Sequence, residues 1–492
     1  MKKILCILVI LISAILHLKA GGLVTNSNQS ASYYRMLARG ASTTGDAVYY
    51  NPAGLAFLEN GLTISLNSQT IWMTRTLTND LSTFNSHLGK EQNNSVFTGK
   101  LFVPVFPGVY AAYKTGDWAF SLGFNPPAGG GSVEFANGLP MLEKDVSLIP
   151  TMLTSSQIPT TRYSMESMLK GSSIVYGVQA GVTYKIDDMF GLFGGVRMLF
   201  ASNSYEGYLR NIRINPNLES IPGGILNGDM MNADDLNAKG DAINNIANSL
   251  PEPNATQLRA VAAGLKNVAS NITDKSLDVS QKGKGIAPII GLHFNYGSLN
   301  LAAKYEFRAK MTLTNETKKD DVNMYPDGQK LRSDVPALLS IAGSYDIVPA
   351  LKLSVTYLHH FEPKATFESF SEGIIIQRQD LIYKGTNEYM AGLEWKLSKK
   401  LLLSTGCQSS NVNVYNAWQN DMTHHMDNFT LGLGGAYLIN DRLTLNIGGI
   451  YTWYKTAKQM LIYDISSIYS LPANQTYDRV TKAFAIGLDY RF

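Results

Sequence analysis

The chain has 492 residues, with 42 Lys+Arg against 39 Asp+Glu, 43 glycines, 26 tyrosines and 2 cysteines. This is long enough for a large core, too poor in cysteine for a disulfide scaffold, and without the basic runs that a nucleic-acid partner requires. No motif calls for a metal or another cofactor, so none is expected.

Residues 1–20 read as a secretory signal: Lys2 and Lys3, an apolar run from Ile4 to Leu16, and a small residue at Ala20. Removing them takes three lysines and leaves 39 basic against 39 acidic residues, a formally neutral mature chain. It also removes Cys6, so Cys407 stands alone.

Residues 21–60 form a second unit. The stretch ARGASTTGDAVYYNPAGLAF (Ala38–Phe57) is apolar, yet has neither the period of a strand nor that of a helix, and it carries glycines and an Asn-Pro step. It is too apolar for a solvated tail.

Residues 61–492 read as strands. No later run has the roughly 20 apolar residues of a transmembrane helix, so a membrane crossing here requires strands. In Ser298–Leu313, Leu299, Leu301, Ala303, Tyr305, Phe307, Ala309, Met311 and Leu313 share one parity, and Lys304, Glu306, Arg308 and Lys310 the other. Successive side chains of a strand face opposite ways, so one face is apolar and the other charged. Val480–Phe492 repeats the pattern with Phe484, Ile486, Leu488, Tyr490 and Phe492. The predicted strands, in order, are Leu62–Trp72, Leu101–Tyr113, Trp118–Phe124, Ser173–Ile186, Phe190–Ser204, Ile286–Tyr296, Ser298–Leu313, Val335–Asp346, Leu351–Phe361, Asn387–Leu397, Leu401–Val412, Asn428–Ile439, Arg442–Lys455 and Val480–Phe492.

The connections alternate between short turns and long segments at 73–100, 125–172, 205–285, 314–334, 362–386, 413–427 and 456–479. Short turns on one side, long loops on the other and an even strand count are the plan of an outer-membrane barrel with both termini in the periplasm. The expected fold is therefore all-β: a fourteen-stranded antiparallel transmembrane barrel, a monomer, with residues 21–60 folded into its mouth as a plug. In the long connection 205–285, Leu258, Val261, Leu265 and Val268 fall at helical spacing and predict a helix over 254–272, with a weaker one before it. Their apolar sides either pack on each other or form an external groove.

The lumen is expected to be partly apolar, because Phe102, Phe106 and Phe193 oppose the outward parity of their strands. Such a lumen either carries a hydrophobic ligand or packs against the plug. Arg197, Lys304, Arg308 and Lys310 fall on the inward parity, and Lys364 follows strand nine.

YYNPAGLAFLENG (Tyr49–Gly61), preceded by ARGASTTGDA, resembles the N-terminal hatch of the FadL/TodX transporters of long-chain fatty acids and hydrophobic compounds. PALLSIAGSYDIVPALKLSVTYLHHFEPKATF (Pro336–Phe367) and the strand count extend the likeness over most of the chain. The resemblance implies that Asn51, Pro52, Ala53 and Gly54 sit in the hatch near an inward kink of a wall strand. It implies passive transport without catalysis, with a long-chain fatty acid or similar compound and outer-membrane lipid as partners. Pro104, Pro107 and Gly108, with Gly123 and Pro126-Pro127, are the wall positions suited to such a kink. A sixteen-carbon tail resists water by about 12 kcal/mol at ~0.8 kcal/mol per CH₂, so such cargo needs an apolar route. Its carboxylate would meet Lys304, Arg308, Lys310, Lys364 or Arg197, although for each of these a charge paired with a carboxylate such as Glu306 is the commoner case. The rival readings are a structural or secretion-associated barrel on the same scaffold, and an outer-membrane lipase, for which no nucleophile motif is present.

Overall fold

The computed structural model of the chain describes residues 25–88, 96–221, 223–371, 373–466 and 469–492; the expected signal segment lies outside them. Fourteen antiparallel strands form the wall: β1 Gly61–Asn79, β2 Val96–Thr115, β3 Trp118–Phe135, β4 Thr160–Lys185, β5 Phe190–Pro216, β6 Lys275–Tyr296, β7 in two halves (Leu299–Glu306 and Thr312–Asp320), β8 Leu338–Val348, β9 Leu351–His360, β10 Asn387–Lys396, β11 Leu401–Asn411, β12 Asn428–Asn440, β13 in two halves (Leu443–Tyr454 and Ala457–Ser466) and β14 Tyr469–Arg491. Each pairs with the next, and β14 pairs back onto β1 from Thr63↔Arg491 to Asn79↔Gln475. That closure joins the first and last strands, so the wall has no free outer edge of the kind hydrocarbon cannot hydrogen-bond.

The period-2 pattern fixes which side faces out. Leu66, Leu122, Leu301, Val355, Leu433, Phe484, Ile486 and Leu488 are exposed on the outside, while Ser65, Asn67, Gln69, Ser404, Thr430 and Asn446 are buried within. A soluble protein rarely exposes so continuous an apolar surface; a bilayer matches it. Aromatic pairs stand near strand ends, among them Trp118 with Tyr184 and Tyr490 with Phe492, where an interfacial belt would lie.

Strands β1 to β6, β13 and β14 extend beyond their predicted bounds, and three differences have physical causes. First, β7 is broken. Glu306 lies opposite Ile289 and Thr312 opposite Lys284, so five residues of β7 face four of β6. One extra residue inverts every later side chain. Ala309, Met311 and Leu313 are therefore buried and Lys310 is exposed, the reverse of the single file expected. Second, 456–479 is not a loop, because β13 and β14 continue as a paired hairpin from Ala457↔Tyr477 to Ser466↔Tyr469. Third, 125–172 is mostly ordered: β3 runs on to Phe135, a helix α3 (Pro140–Ser155) follows, and β4 starts at Thr160.

The predicted helices of the long connection are α4 (Ala233–Ala247) and α5 (Asn254–Asn271). Asn232 caps α4 by accepting from the Asp235 N–H, while the Asp235 carboxylate accepts from the Asn232 N–H. Leu236, Ile243, Ala262 and Leu265 close a small core with Val146 and Leu153 of α3 and with Tyr163 and Ile212 at the tips of β4 and β5. The helices thus bury their apolar sides on each other and on the strand tips.

Candidate functional site: a plugged lumen beside a gap in the wall

Residues 25–60 fold inside the barrel as short pieces: the helices α1 (Ala31–Arg35) and α2 (Ala47–Tyr50) and a 3₁₀ turn Pro52–Phe57, nearly all buried. So short a segment has little helix stability of its own. Ion pairs and hydrogen bonds hold it. Asp46 accepts from Arg39 (2.9 and 2.7 Å), Ser30 (2.9 Å), Ser42 (2.7 Å) and Thr44 (2.9 Å), which binds three turns of the plug around one carboxylate. Burial alone would raise that carboxyl, but the Arg39 guanidinium and the hydroxyl donors outweigh it and hold it at about 2.

The plug is also tied to the wall. Arg35 pairs with Glu394 and donates to Asn446 Oδ1 (3.1 Å) and Ser404 Oγ (2.7 Å) on three strands. The wall offers glycine where the backbone approaches: a Cβ at Gly448 would stand 2.5 Å from the Arg35 nitrogen. On the opposite side Lys304 Nζ donates to the Tyr49 carbonyl (2.8 Å), Gln179 to the Val48 carbonyl (2.6 Å) and Thr183 to the Pro52 carbonyl (2.8 Å). Arg197 pairs with Glu306, donates to Gln179 and lies 4.7 Å from the Tyr49 ring centroid.

The basic residues singled out from the sequence therefore separate. Arg197 and Lys304 are buried against the plug. Arg308 is half-exposed, donates to the Lys364 carbonyl and lies 3.8 Å from Asp334. Lys364 is exposed, with Nζ 5.6 Å from the Phe361 ring centroid, and Lys310 is on the outside. Of the aromatic residues, Phe106 is buried inside, whereas Phe193 packs with Ala53 and Ile289. Phe102, expected in the lumen, is 59% exposed on the outer face against Trp72. The cause is an extra residue in β2: Gln69 faces Phe106 but Ile71 faces Val103, so parity inverts between Phe102 and Phe106.

Asn51 donates to the Ser42 carbonyl (2.9 Å) and meets His293 Nδ1 (2.7 Å). Gly54 allows that turn, since a Cβ there would stand 2.5 Å from Asn51 Nδ2. Pro52 and Ala53 lie against β4, β5 and β6 through Thr183 and the Phe193–Ile289 contact. They are not the residues that touch a wall kink.

That kink is in β3. Its pairing with β4 slips between Asn125 and Ala128 and again between Gly129 and Gly131, which adds two residues to β3. Gly129 and Gly131 have φ of +81° and +93°, a conformation that glycine adopts without strain. The two prolines cannot donate to a ladder. Between β2 and β3, pairing stops at Leu101↔Val133 and resumes at Val109↔Phe124. The wall is unpaired there. The start of the plug bonds the displaced strand: the Asn26 N–H donates to the Pro127 carbonyl (2.7 Å), and Gln29 Nε2 to the Pro126 carbonyl (3.1 Å). Asn125 in turn donates to Gln29 (2.8 Å). So Thr25–Gln29, rather than Asn51–Gly54, lies against the kink.

On the long-loop side of the plug is a cavity of about 810 Å³. Ile71, Met73, Leu101 and Phe106 line it, and Gly129–Gly131 bring it to the wall gap. Its floor is polar: Glu388 accepts from Ser27 (2.9 Å) and Gln408 (2.9 Å) and meets His360 (3.0 Å). The plug network centred on Asp46 and the cavity-lining Arg75, Arg479 and His424 are absent from the sequence-derived candidates. A charged pair inside the otherwise apolar stretch 31–57 is the signal that could have found the first.

No family model matches the chain, and no curated protein matches it by sequence. Solved structures do match in fold. A FadL homologue of Pseudomonas aeruginosa superposes with TM-score 0.62 at 12% identity over 96% of this chain and 100% of that one. The Pseudomonas putida toluene transporter TodX gives 0.55 at 12% over 96% and 100%. The Ralstonia pickettii toluene transporter TbuX gives 0.50 at 13% over 95% and 99%. The chain thus has the plugged fourteen-strand fold of the FadL homologue and the TodX and TbuX channels.

Proposed function

We propose that the protein is an outer-membrane channel for the passive entry of long-chain fatty acids or similar hydrophobic compounds, which leave the lumen sideways through the gap between β2 and β3. The observation that carries this reading is that the cavity, closed below by the plug, reaches the wall where β3 is kinked. A wet pore cannot offset the roughly 12 kcal/mol by which a sixteen-carbon tail resists water. Passing from the apolar side of the cavity, at Ile71, Met73, Leu101 and Phe106, directly into a bilayer spares the tail a transfer through water. The plug then serves as a fixed floor, consistent with its ion pair to β10 and its hydrogen bonds to β4 and β7. The structural neighbours described as toluene transporters add support for a hydrophobic cargo.

The test is uptake of labelled palmitate by a Gram-negative host lacking its own fatty-acid channel. The full chain is expected to raise uptake severalfold over an empty vector. Uptake equal to the vector, with the barrel folded in the outer membrane, would overturn the proposal.

A further inference from the structure

The cavity holds two arginines, Arg75 and Arg479, that no carboxylate among the described residues pairs with. Closure of the barrel sets Arg75 of β1 directly opposite Arg479 of β14, and like charges so placed repel. Arg75 donates once, to the Met422 carbonyl at 3.1 Å, and Arg479 lies over the Tyr454 ring at 4.6 Å. The Nε atoms of both arginines and both ring nitrogens of His424 have no hydrogen-bond partner among the described residues. His424 is only 1% exposed. The carboxylates that line the cavity are engaged elsewhere. Asp421 accepts from the Met141 N–H (2.6 Å) and Gln475 (2.5 Å), Glu368 from the Arg332 N–H (2.7 Å), and Glu388 is taken up on the floor. Burial, with Arg75, Arg479 and His425 close by, holds the His424 imidazole well below its usual range, so it is neutral at pH 7.

Apolar surface continues from this group. Met73 and Ile71 follow Arg75 on the inner side of β1, and Gln69 then stands opposite Phe106 at the gap. Six residues of strand span about 20 Å.

We propose that Arg75, Arg479 and His424 form a head-group subsite that takes the carboxylate of a single-tailed amphiphile, its tail lying along Met73 and Ile71 toward Phe106 and the gap. This rests on the transport reading above and narrows it to an anionic cargo. A carboxylate bound by two guanidinium forks relieves their repulsion and fills donors that are otherwise unmet. A neutral compound of equal length would gain only the apolar contacts.

The test is equilibrium binding of labelled palmitate and of hexadecanol to the purified full chain in detergent, with a heat-dependent mobility shift to report that each variant barrel is folded. Arg75→Gln and Arg479→Gln are each expected to weaken palmitate binding about tenfold or more and to leave hexadecanol within roughly twofold. Arg479→Lys, which keeps the charge, is expected to retain most of the palmitate affinity. Palmitate binding unchanged in both glutamine variants would overturn the subsite and leave the transport reading intact. Failure of the wild-type chain to bind either compound would overturn both.

Discussion

Asp46 accepts from four side chains with its two oxygens, so a single carboxylate ties together residues 30 to 46 of the plug. Asp46→Asn keeps the size and removes the charge, leaving the buried Arg39 uncompensated at a cost of about 3–5 kcal/mol. The expected outcome is a loosened plug, measured as ion conductance of the variant in planar bilayers where the wild-type chain stays closed. The pH dependence has a definite sign. The folded value, about 2, lies below that of an unfolded aspartate, so the contribution is fully present above about pH 4 and is lost as pH falls through about 2. Conductance should therefore stay low from neutral pH down to about 4. At this scale an Asn-Pro-Ala-Gly step in an apolar context marks Asn51–Gly54 as unusual, but nothing in the sequence shows that Thr25–Gln29 meets the kink in its place. Asp46 stands five residues earlier in the same stretch and was passed over, since nothing local shows that Arg39 turns back to meet it.

The elements were read well where alternation is uninterrupted, as in β14, whose apolar file Phe484, Ile486, Leu488 is exposed on the outer face. They were read poorly where one residue is inserted. FRAKM, at the break of β7, carries neither glycine nor proline to mark its bulge, and the bulge alone moves Lys310 to the outside. In β3 the error has the opposite origin. NPPAGGG reads as a turn ending the strand, yet pairing with β4 holds it within the wall as a double slip. The helices α4 and α5 form a core with the strand tips that is separate from the lumen. A buried charge in that core, Ile243→Asp or Leu265→Asp, is expected to destabilise it by several kcal/mol. Limited proteolysis should then cut within 217–274, while palmitate uptake stays near the wild-type level. Loss of uptake would instead give these helices a part in ligand capture.

For the whole molecule, closure is what the sequence cannot display directly. Arg75 and Arg479 lie near opposite ends of the chain and become cross-strand neighbours only because β14 returns to β1. His424 joins them from the connection between β11 and β12. Alternation made the greasy outer skin legible, while the inner surface depends on bulges and on the plug's own contacts. Arg197 and Lys304, expected near cargo, are engaged by Glu306 and Tyr49. In the function proposed above, cargo leaves through the wall and the plug stays fixed. Deleting Pro127 and Gly130 removes the two extra residues of β3, restores its register with β4 and preserves parity. The most direct measurement is palmitate uptake by cells carrying this shortened chain, with folded barrel in the outer membrane matched to wild type. Uptake is expected at the level of the empty vector. Uptake equal to wild type would contradict it and place the exit through the plug.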